Sequence, residues 1–120
     1  MARGFAANLV TPAFLVDPAG TLIFYNEAAG GLLGVAFEEI GELTAEDWGG
    51  RFEPMDLDDA PLALDQLPLG IALAQGRPVH RRMRVRSSDG RVHDIEATAF
   101  PVVGVAGQAG ALSIFWDSAS

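Results

Sequence analysis

The sequence predicts a single α+β domain in which short helices cover one face of an antiparallel sheet. Three observations support this prediction. The length of 120 residues fits one domain. Two short apolar strands come first and are followed by segments with helical spacing. Three strands joined by turns close the chain, and such a meander after helices is typical of an antiparallel sheet.

The N-terminal part is predicted to form a flanking helix and then a hairpin. Apolar residues at positions 2, 5, 6 and 9 have helical spacing, so residues 1–10 are expected to be a helix and residues 11–120 the domain itself. Ala13–Val16 and Leu22–Tyr25 are predicted strands. The intervening Asp-Pro-Ala-Gly is a turn, since Pro fixes φ and Gly20 supplies a positive φ.

The middle of the chain is predicted to be helical. Asn26 is expected to cap a helix that ends at Gly34. Residues 38–65 hold ten carboxylates against one Arg and are predicted to be short helices and loops with a solvated acidic face. A clearer helix is expected over Leu67–Gln75, with Pro near its start and Gly just after its end. Phe37–Ile40 is expected to be one more short helical turn.

The last third is predicted to be three strands, Pro78–Arg86, Val92–Pro101 and Ala111–Trp116, with a glycine-rich loop over Gly104–Gly110. A dinucleotide-binding loop would have to open a helix, and here a strand follows, so a hairpin is favoured. Ser88-Asp89-Gly90 is the expected turn between the first two of these three strands.

The charges predict the register of that hairpin. If Arg84 lies opposite Asp94 and Arg82 opposite Glu96, opposite charges face each other across the pair. The apolar positions of both strands then share the inner face, whereas a slip by one residue would mix the faces. The same register turns Arg81 inward, beside Met83 and across from Ala97.

Charge and composition exclude several classes of function. The net charge is −8 and all eight basic residues are Arg, which argues against binding to nucleic acids or to anionic membranes. The absence of Cys excludes thiolate metal sites and a cysteinyl-flavin adduct. No apolar run approaches the roughly 18 residues of a membrane span, and the start does not read as a signal peptide, so a cytoplasmic location is expected.

The order of the motifs resembles the PAS family of sensor domains. The residues that carry the resemblance are Asp17, Gly20, Leu22, Asn26, Ala28, Leu33, Gly34, Glu38-Glu39-Ile40, Pro68-Leu69, Gly76, Pro78, Asp89-Gly90-Arg91, Ala99, Pro101 and Trp116-Asp117. They span about residues 12–117. The resemblance implies a five-stranded antiparallel sheet that cups short helices, often with a small ligand between them, but it implies no particular ligand.

The candidate ligand pocket lies between the inner sheet face and the helix over 67–75. Its predicted lining is Arg81, Met83, Ala97, Ala99, Leu69, Ile71 and Leu73. An inward Arg in an apolar cleft would suit a ligand with a carboxylate or another acceptor. The alternative, which is favoured, is that Arg81 reaches water at an edge or pairs with an acidic residue from 38–65.

Cofactors are left open by the sequence. Trp48 and Phe52 could flank a non-covalent flavin, although core aromatics are the favoured interpretation. Haem is disfavoured, because haem-binding members of the family that this chain resembles carry their ligand His on the helix before the third strand, and here that helix, over 67–75, has no His. His80 and His93 have no third metal ligand placed by spacing. The serines lack a nucleophile motif or a neighbouring base in sequence, so no enzyme is predicted.

The leading hypothesis is a sensory or regulatory module that binds a small ligand or a partner and relays a conformational signal, with a downstream effector domain or kinase as its partner. The alternatives are a dimerisation module with a fully packed core and, last, a small α+β enzyme. A homodimer is expected because the final strand is apolar on both faces. Its candidate interface is Phe5, Leu9, Leu112, Ile114 and Trp116.

Overall fold

The protein is described by a computed structural model that covers residues 10–104 and 107–118. Five strands form one antiparallel sheet in the order β2-β1-β5-β4-β3. The strands are β1 Ala13–Val16, β2 Leu22–Tyr25, β3 Val79–Arg86, β4 Val92–Gly104 and β5 Gly107–Asp117. The predicted α+β class and the five-stranded antiparallel sheet are confirmed. The predicted flanking helix, with Phe5 and Leu9, lies outside the described residues.

Four short α-helices and one 3₁₀ turn connect β2 to β3. They are α1 Glu27–Leu33, α2 Phe37–Ile40, α3 Ala45–Phe52, the 3₁₀ turn Leu64–Gln66 and α4 Pro68–Gln75. Thr44 caps α3, since its hydroxyl accepts from the Asp47 amide at 3.2 Å. The sequence did not predict α3 as a separate helix, because its apolar residues are few and the acidic zone around it has no clear period.

Asn26 ties the first hairpin to the first helix. Its side-chain oxygen accepts from the amides of Ala29 at 2.9 Å and Ala13 at 3.0 Å, and its amide group donates to the Thr11 carbonyl at 2.9 Å. The predicted cap is therefore confirmed, and the same side chain also orients the start of β1. Gly34 ends α1 with φ of 80°, a conformation in which glycine has no steric cost.

The register of the β3–β4 hairpin is the predicted one. Arg84 lies opposite Asp94 and Arg82 opposite Glu96. Arg84 Nε donates to Asp94 at 2.7 Å, whereas the Arg82 guanidinium donates to the Ser118 hydroxyl at 2.9 Å. Gly90 has φ of 87°, as the expected turn requires.

The predicted hairpin is confirmed, since β4 pairs with β5 up to Gly104 and Gly107, but the predicted loop over Gly104–Gly110 is wrong in extent because most of this segment is strand. β4 continues to Gly104 and β5 begins at Gly107. Gly110 lies in β5 with φ of 138°, and a Cβ there would be 2.0 Å from the Val16 carbonyl oxygen. The glycine is therefore present because the neighbouring strand passes too close for a side chain, and not because the chain turns.

The sheet separates two apolar clusters. The larger cluster joins the inner sheet face to residues of all four helices, including Leu33, Phe37, Trp48 and Leu69. The smaller lies on the outer face, and its described members are the buried Ala13, Leu15 and Leu112 with the partly buried Ile23, Phe24, Phe100, Val102 and Ile114. Residues of β5 alternate between the two, so this central strand contacts both clusters.

Candidate functional site

An apolar cavity of about 70 Å³ lies between the inner sheet face and the helices. Its walls come from four strands, three helices and the loop after α3. They are Phe14, Leu33, Trp48, Phe52, Pro54, Leu67, Pro68, Leu69, Met83, Val85, Ile95, Ala97, Ser113 and Phe115. Among these described residues, Ser113 carries the one hydroxyl, and none has a charged side chain.

Trp48 and Phe52 place α3 against the sheet. The indole Nε1 of Trp48 donates to the Gly20 carbonyl at 2.9 Å, and its ring meets that of Phe14 edge-on at 5.2 Å. Phe52 meets the ring of Tyr25 edge-on at 6.4 Å. Both side chains line the cavity and belong to the core. The indole N–H is not free for a ligand, because it is already bonded to the Gly20 carbonyl.

Close backbone packing positions the opposite wall. Gly70 lies in α4 so near the preceding 3₁₀ turn that a Cβ would be 1.7 Å from the Leu64 carbonyl oxygen. Pro68 begins the helix, and Gly76 ends it with φ of 64°. These contacts press Leu67, Pro68 and Leu69 against the cavity.

Tyr25 closes the core beside the cavity. Its hydroxyl donates to the Val35 carbonyl, and the residue is almost completely buried. Burial raises the pKa of Tyr25 to about 12, because the phenolate would lose its hydration, and the nearby Arg51 opposes this shift only in part.

Arg81 lies at the edge of the fold and not in the cavity wall. Its guanidinium donates to the carbonyl of Gln66, at the end of the 3₁₀ turn, at 3.3 Å. The β3 register turns the start of this side chain inward, but its length lets the charged group reach the half-exposed rim. None of the described residues therefore places a charged anchor in the cavity.

The other predicted lining residues separate into two groups. Leu69, Met83 and Ala97 line the cavity together with Trp48 and Phe52. Ile71 does not, because it lies two positions after Leu69 and points to nearly the opposite side of the helix. Leu73 lies one turn after Leu69 on the same side, and it packs at the edge of the inner core without lining the cavity. Ala99 is fully buried in the inner core beyond the cavity wall.

Sequence reasoning missed two of the central lining residues, Phe14 and Ser113. Phe14 lies on β1 and Ser113 on β5, and the two are directly paired across these strands. The alternation of β5 already placed Ser113 on the face opposite Leu112 and Ile114. A lone serine between apolar inward positions was the available signal.

The two histidines lie away from the cavity. On the outer face, His80 has its Nδ1 2.7 Å from the Thr98 hydroxyl and its Nε2 3.2 Å from Glu96. His93 Nε2 lies 3.2 Å from the hydroxyl of Ser87, a neighbour that sequence spacing did not predict. Among residues 10–104 and 107–118, no group of three His, Asp or Glu is placed to hold a metal ion.

Ser87 and His93 stabilise the hairpin and do not form a nucleophilic pair. The Ser87 hydroxyl donates to the Asp89 carboxylate, and that hydrogen bond, together with the Arg91 amide, lowers the pKa of Asp89. Ser87 is only 4% exposed, whereas a nucleophile must present its oxygen to a substrate.

The cavity volume limits what can bind without movement of the walls. Pockets for drug-sized ligands and cofactors have volumes of roughly 300–1,000 Å³. At about 70 Å³ the cavity accepts a flavin or a haem only if its walls move apart. A ligand of a few non-hydrogen atoms fits the volume as it stands.

Solved structures with the same architecture are numerous. The PAS domain of a protein from Colwellia psychrerythraea is 18% identical, with a TM-score of 0.67 over 96% of this chain and 92% of that one. The PAS domain of nitrogen regulation protein NR(II) from Vibrio parahaemolyticus is 19% identical, with a TM-score of 0.67 over 98% of both chains.

The chain has the PAS fold. A third PAS domain of this kind, from a two-component sensor histidine kinase, is 14% identical, with a TM-score of 0.67 over 98% of this chain and 93% of that one. No protein-family model and no curated protein matches the sequence. The cavity of this PAS fold lies between the sheet and the helices, where the resemblance implied a ligand. No helix in the described ranges is long and apolar enough to cross a membrane.

Proposed function

We propose that this chain is a sensory or regulatory domain that binds a small ligand between its sheet and helices and passes a conformational signal to a partner. The observation that carries the proposal is the apolar cavity in the centre of a PAS fold. Small-ligand sites are concave and mostly apolar, with a few polar groups that fix the ligand's orientation, and this cavity has that character. We therefore infer that a small ligand occupies it.

The central strand β5 is a route by which binding would alter the outer face. Ser113 and Phe115 line the cavity, while Leu112 and Ile114 belong to the outer cluster. A ligand that shifts the inner side chains of β5 would move the outer ones through the same backbone. The partner is an effector domain or a kinase, as the kinase-derived PAS domain suggests by analogy. A cytoplasmic location stays a prediction.

Methyl NMR tests the ligand proposal. Small neutral compounds are titrated into protein with ¹³C-labelled Met, Ala, Leu and Ile methyl groups. We expect shifts at Met83 and Ala97 in the cavity and smaller shifts at Leu112 and Ile114. Ala97→Leu fills the cavity and should abolish the response, whereas Ala74→Leu, the same change at an exposed position of α4, should preserve it. Absence of any shift in the wild-type protein would refute ligand binding.

A second candidate function is homodimerisation through the outer face. A sheet covered by helices on one side ordinarily has a polar outer face, but here Leu15 and Leu112 form an apolar cluster with Ile114 beside it. Trp116 lies on the same face and is 36% exposed. The predicted contribution of Phe5 and Leu9 lies outside the described residues and stays a prediction.

Light scattering at high micromolar concentration tests the dimer. We expect a dimer for the wild-type protein and a shift to monomer for Trp116→Glu. Leu57→Glu is the matched control, because Leu57 is a comparably exposed apolar residue in the loop between α3 and the 3₁₀ turn, outside the sheet. A wild-type protein that stays monomeric would contradict this candidate. Dimers that persist in both variants would place the interface elsewhere.

A further inference from the structure

Three buried polar side chains stand out in the described part of the chain, and they differ in what they contact. Asn26, Ser87 and Ser113 are each at most 5% exposed. Asn26 is held by hydrogen bonds that orient β1 and α1, and Ser87 by its hydrogen bonds in the hairpin turn. Their burial is therefore explained by structure.

The Ser113 hydroxyl has no such explanation. Within residues 10–104 and 107–118, this hydroxyl makes no hydrogen bond to another protein group. Among these residues, every side-chain nitrogen or oxygen atom that has no accessible surface makes a hydrogen bond. Because the Ser113 hydroxyl makes none, it must keep some accessible surface, and the open space beside Ser113 is the cavity.

Water is a poor occupant of this site. A buried water needs two to four polar partners as a rule, and among the described lining residues the Ser113 hydroxyl is the one free side-chain group, since the Trp48 indole N–H is bonded to Gly20. A charged ligand is equally unfavourable, because none of the described lining side chains is charged and Arg81 bonds Gln66 at the rim.

We propose that the Ser113 hydroxyl is the recognition group of the cavity, and that the ligand is a small neutral molecule that is apolar except for one hydrogen-bonding oxygen or nitrogen. This inference rests on the proposed ligand-binding function. The cavity has about half the volume of the ~150 Å³ engineered cavity that holds benzene. The ligand therefore has only a few non-hydrogen atoms, as a short-chain ketone, aldehyde or alcohol has, and the flexible Met83 can adjust to its shape.

Two probes separate recognition by the hydroxyl from filling of the cavity. Acetone has a single carbonyl oxygen that accepts from a hydroxyl, whereas xenon fills apolar cavities without any hydrogen bond. Methyl shifts of Met83 and Ala97 report binding of both. We expect Ser113→Ala to weaken acetone binding roughly three- to tenfold, which is the effect of one hydrogen bond, and to leave xenon binding unchanged or tighter. Ser87→Ala, the matched control outside the cavity, should change neither.

The possible results separate the two levels of the proposal. Equal acetone affinity in the wild-type and Ser113→Ala proteins, with xenon bound by both, would overturn the role of Ser113 and leave the ligand-binding function standing. A wild-type protein that binds neither probe would refute the ligand-binding function and this inference with it.

Thermal unfolding without ligand gives an independent readout. Ser113→Ala removes a hydroxyl that has no protein partner, so we expect an unchanged or higher thermal midpoint. Ser87→Ala removes a bonded hydroxyl and should lower the midpoint. If Ser113→Ala lowered it as much as Ser87→Ala does, Ser113 would be a structural residue and the inference would be wrong.

Discussion

The inner and outer faces of the sheet both carry apolar side chains, but they are organised differently. On the inner face, helices press Trp48, Phe52 and Leu69 towards the sheet and still leave a cavity. On the outer face, Leu15 and Leu112 are buried in a smaller cluster that continues towards the polar groups of β3 and β4. The face with the larger core is thus the one with unfilled space. The proposed ligand would fill the space on the inner face, and the proposed dimer would cover the apolar cluster on the outer face.

The largest expected effect comes from the helical wall of the inner face. Gly70→Ala would place a Cβ 1.7 Å from the Leu64 carbonyl oxygen, and the backbone on both sides cannot yield without moving α4. We expect a loss of about 3 kcal/mol or more in the free energy of unfolding, measured by urea denaturation. Gly31→Ala is the control, because nothing lies within 4 Å of its Cβ position. It should stabilise the protein by up to about 1 kcal/mol. A mild effect at Gly70 would mean that the wall is not rigid.

A matched pair of leucines compares the two clusters directly. Leu33 belongs to the inner cluster and Leu112 to the outer one, and each is only 2% exposed. We expect Leu33→Ala and Leu112→Ala to cost about 2–4 kcal/mol each, since both remove well-buried methyl groups. If Leu112→Ala cost less than about 1 kcal/mol, the outer cluster would not be a second core.

Alkaline pH should weaken the inner core through Tyr25. The folded-state pKa of about 12 lies above the usual value of 10, so between these values the unfolded chain releases a proton that the folded protein retains. The stabilising contribution is complete below pH 10 and is lost as the pH rises towards 12, by roughly 1–3 kcal/mol. Tyr25→Phe should lose this part of the pH dependence in urea denaturation measured across that range. An unchanged profile would show that another group titrates.

The smallest effect is expected on the polar part of the outer face. Arg84 bonds Asp94 at 2.7 Å and Asp59 at 2.8 Å, and these two carboxylates raise the pKa of its guanidinium. Exposed ion pairs contribute little to stability, so Arg84→Ala should lower the thermal midpoint only slightly. The decrease should be smaller still at high salt, because salt screens the ion pairs that the substitution removes. Arg91→Ala, at a more exposed pair, should have no measurable effect. The backbones of Met55 and Arg84 exchange two hydrogen bonds of 2.8 Å, which pair the loop after α3 with β3. A large drop for Arg84→Ala would show that this pairing depends on the Arg84 side chain.

The local elements of this protein could be predicted from the sequence by itself. Turn residues, the Asn26 cap and the alternation of β3 and β4 each act over a few neighbouring positions, so their outcome does not depend on the rest of the chain. The hairpin register was also predictable, because the pairing of Arg84 with Asp94 and the alignment of the apolar positions require the same register. The resemblance to the PAS family added the arrangement of these elements, which is a five-stranded antiparallel sheet with short helices on one face.

Only the tertiary structure decided which residues form the site. Ser113 and Phe14 are almost a hundred positions apart in sequence and become neighbours because β5 inserts beside β1. Arg81 starts inward, yet its long side chain ends at the rim, where the Gln66 carbonyl is available. A cavity is the space left over when helices and strands from distant parts of the chain pack together. Its volume and its single hydroxyl depend on contacts that no local pattern encodes.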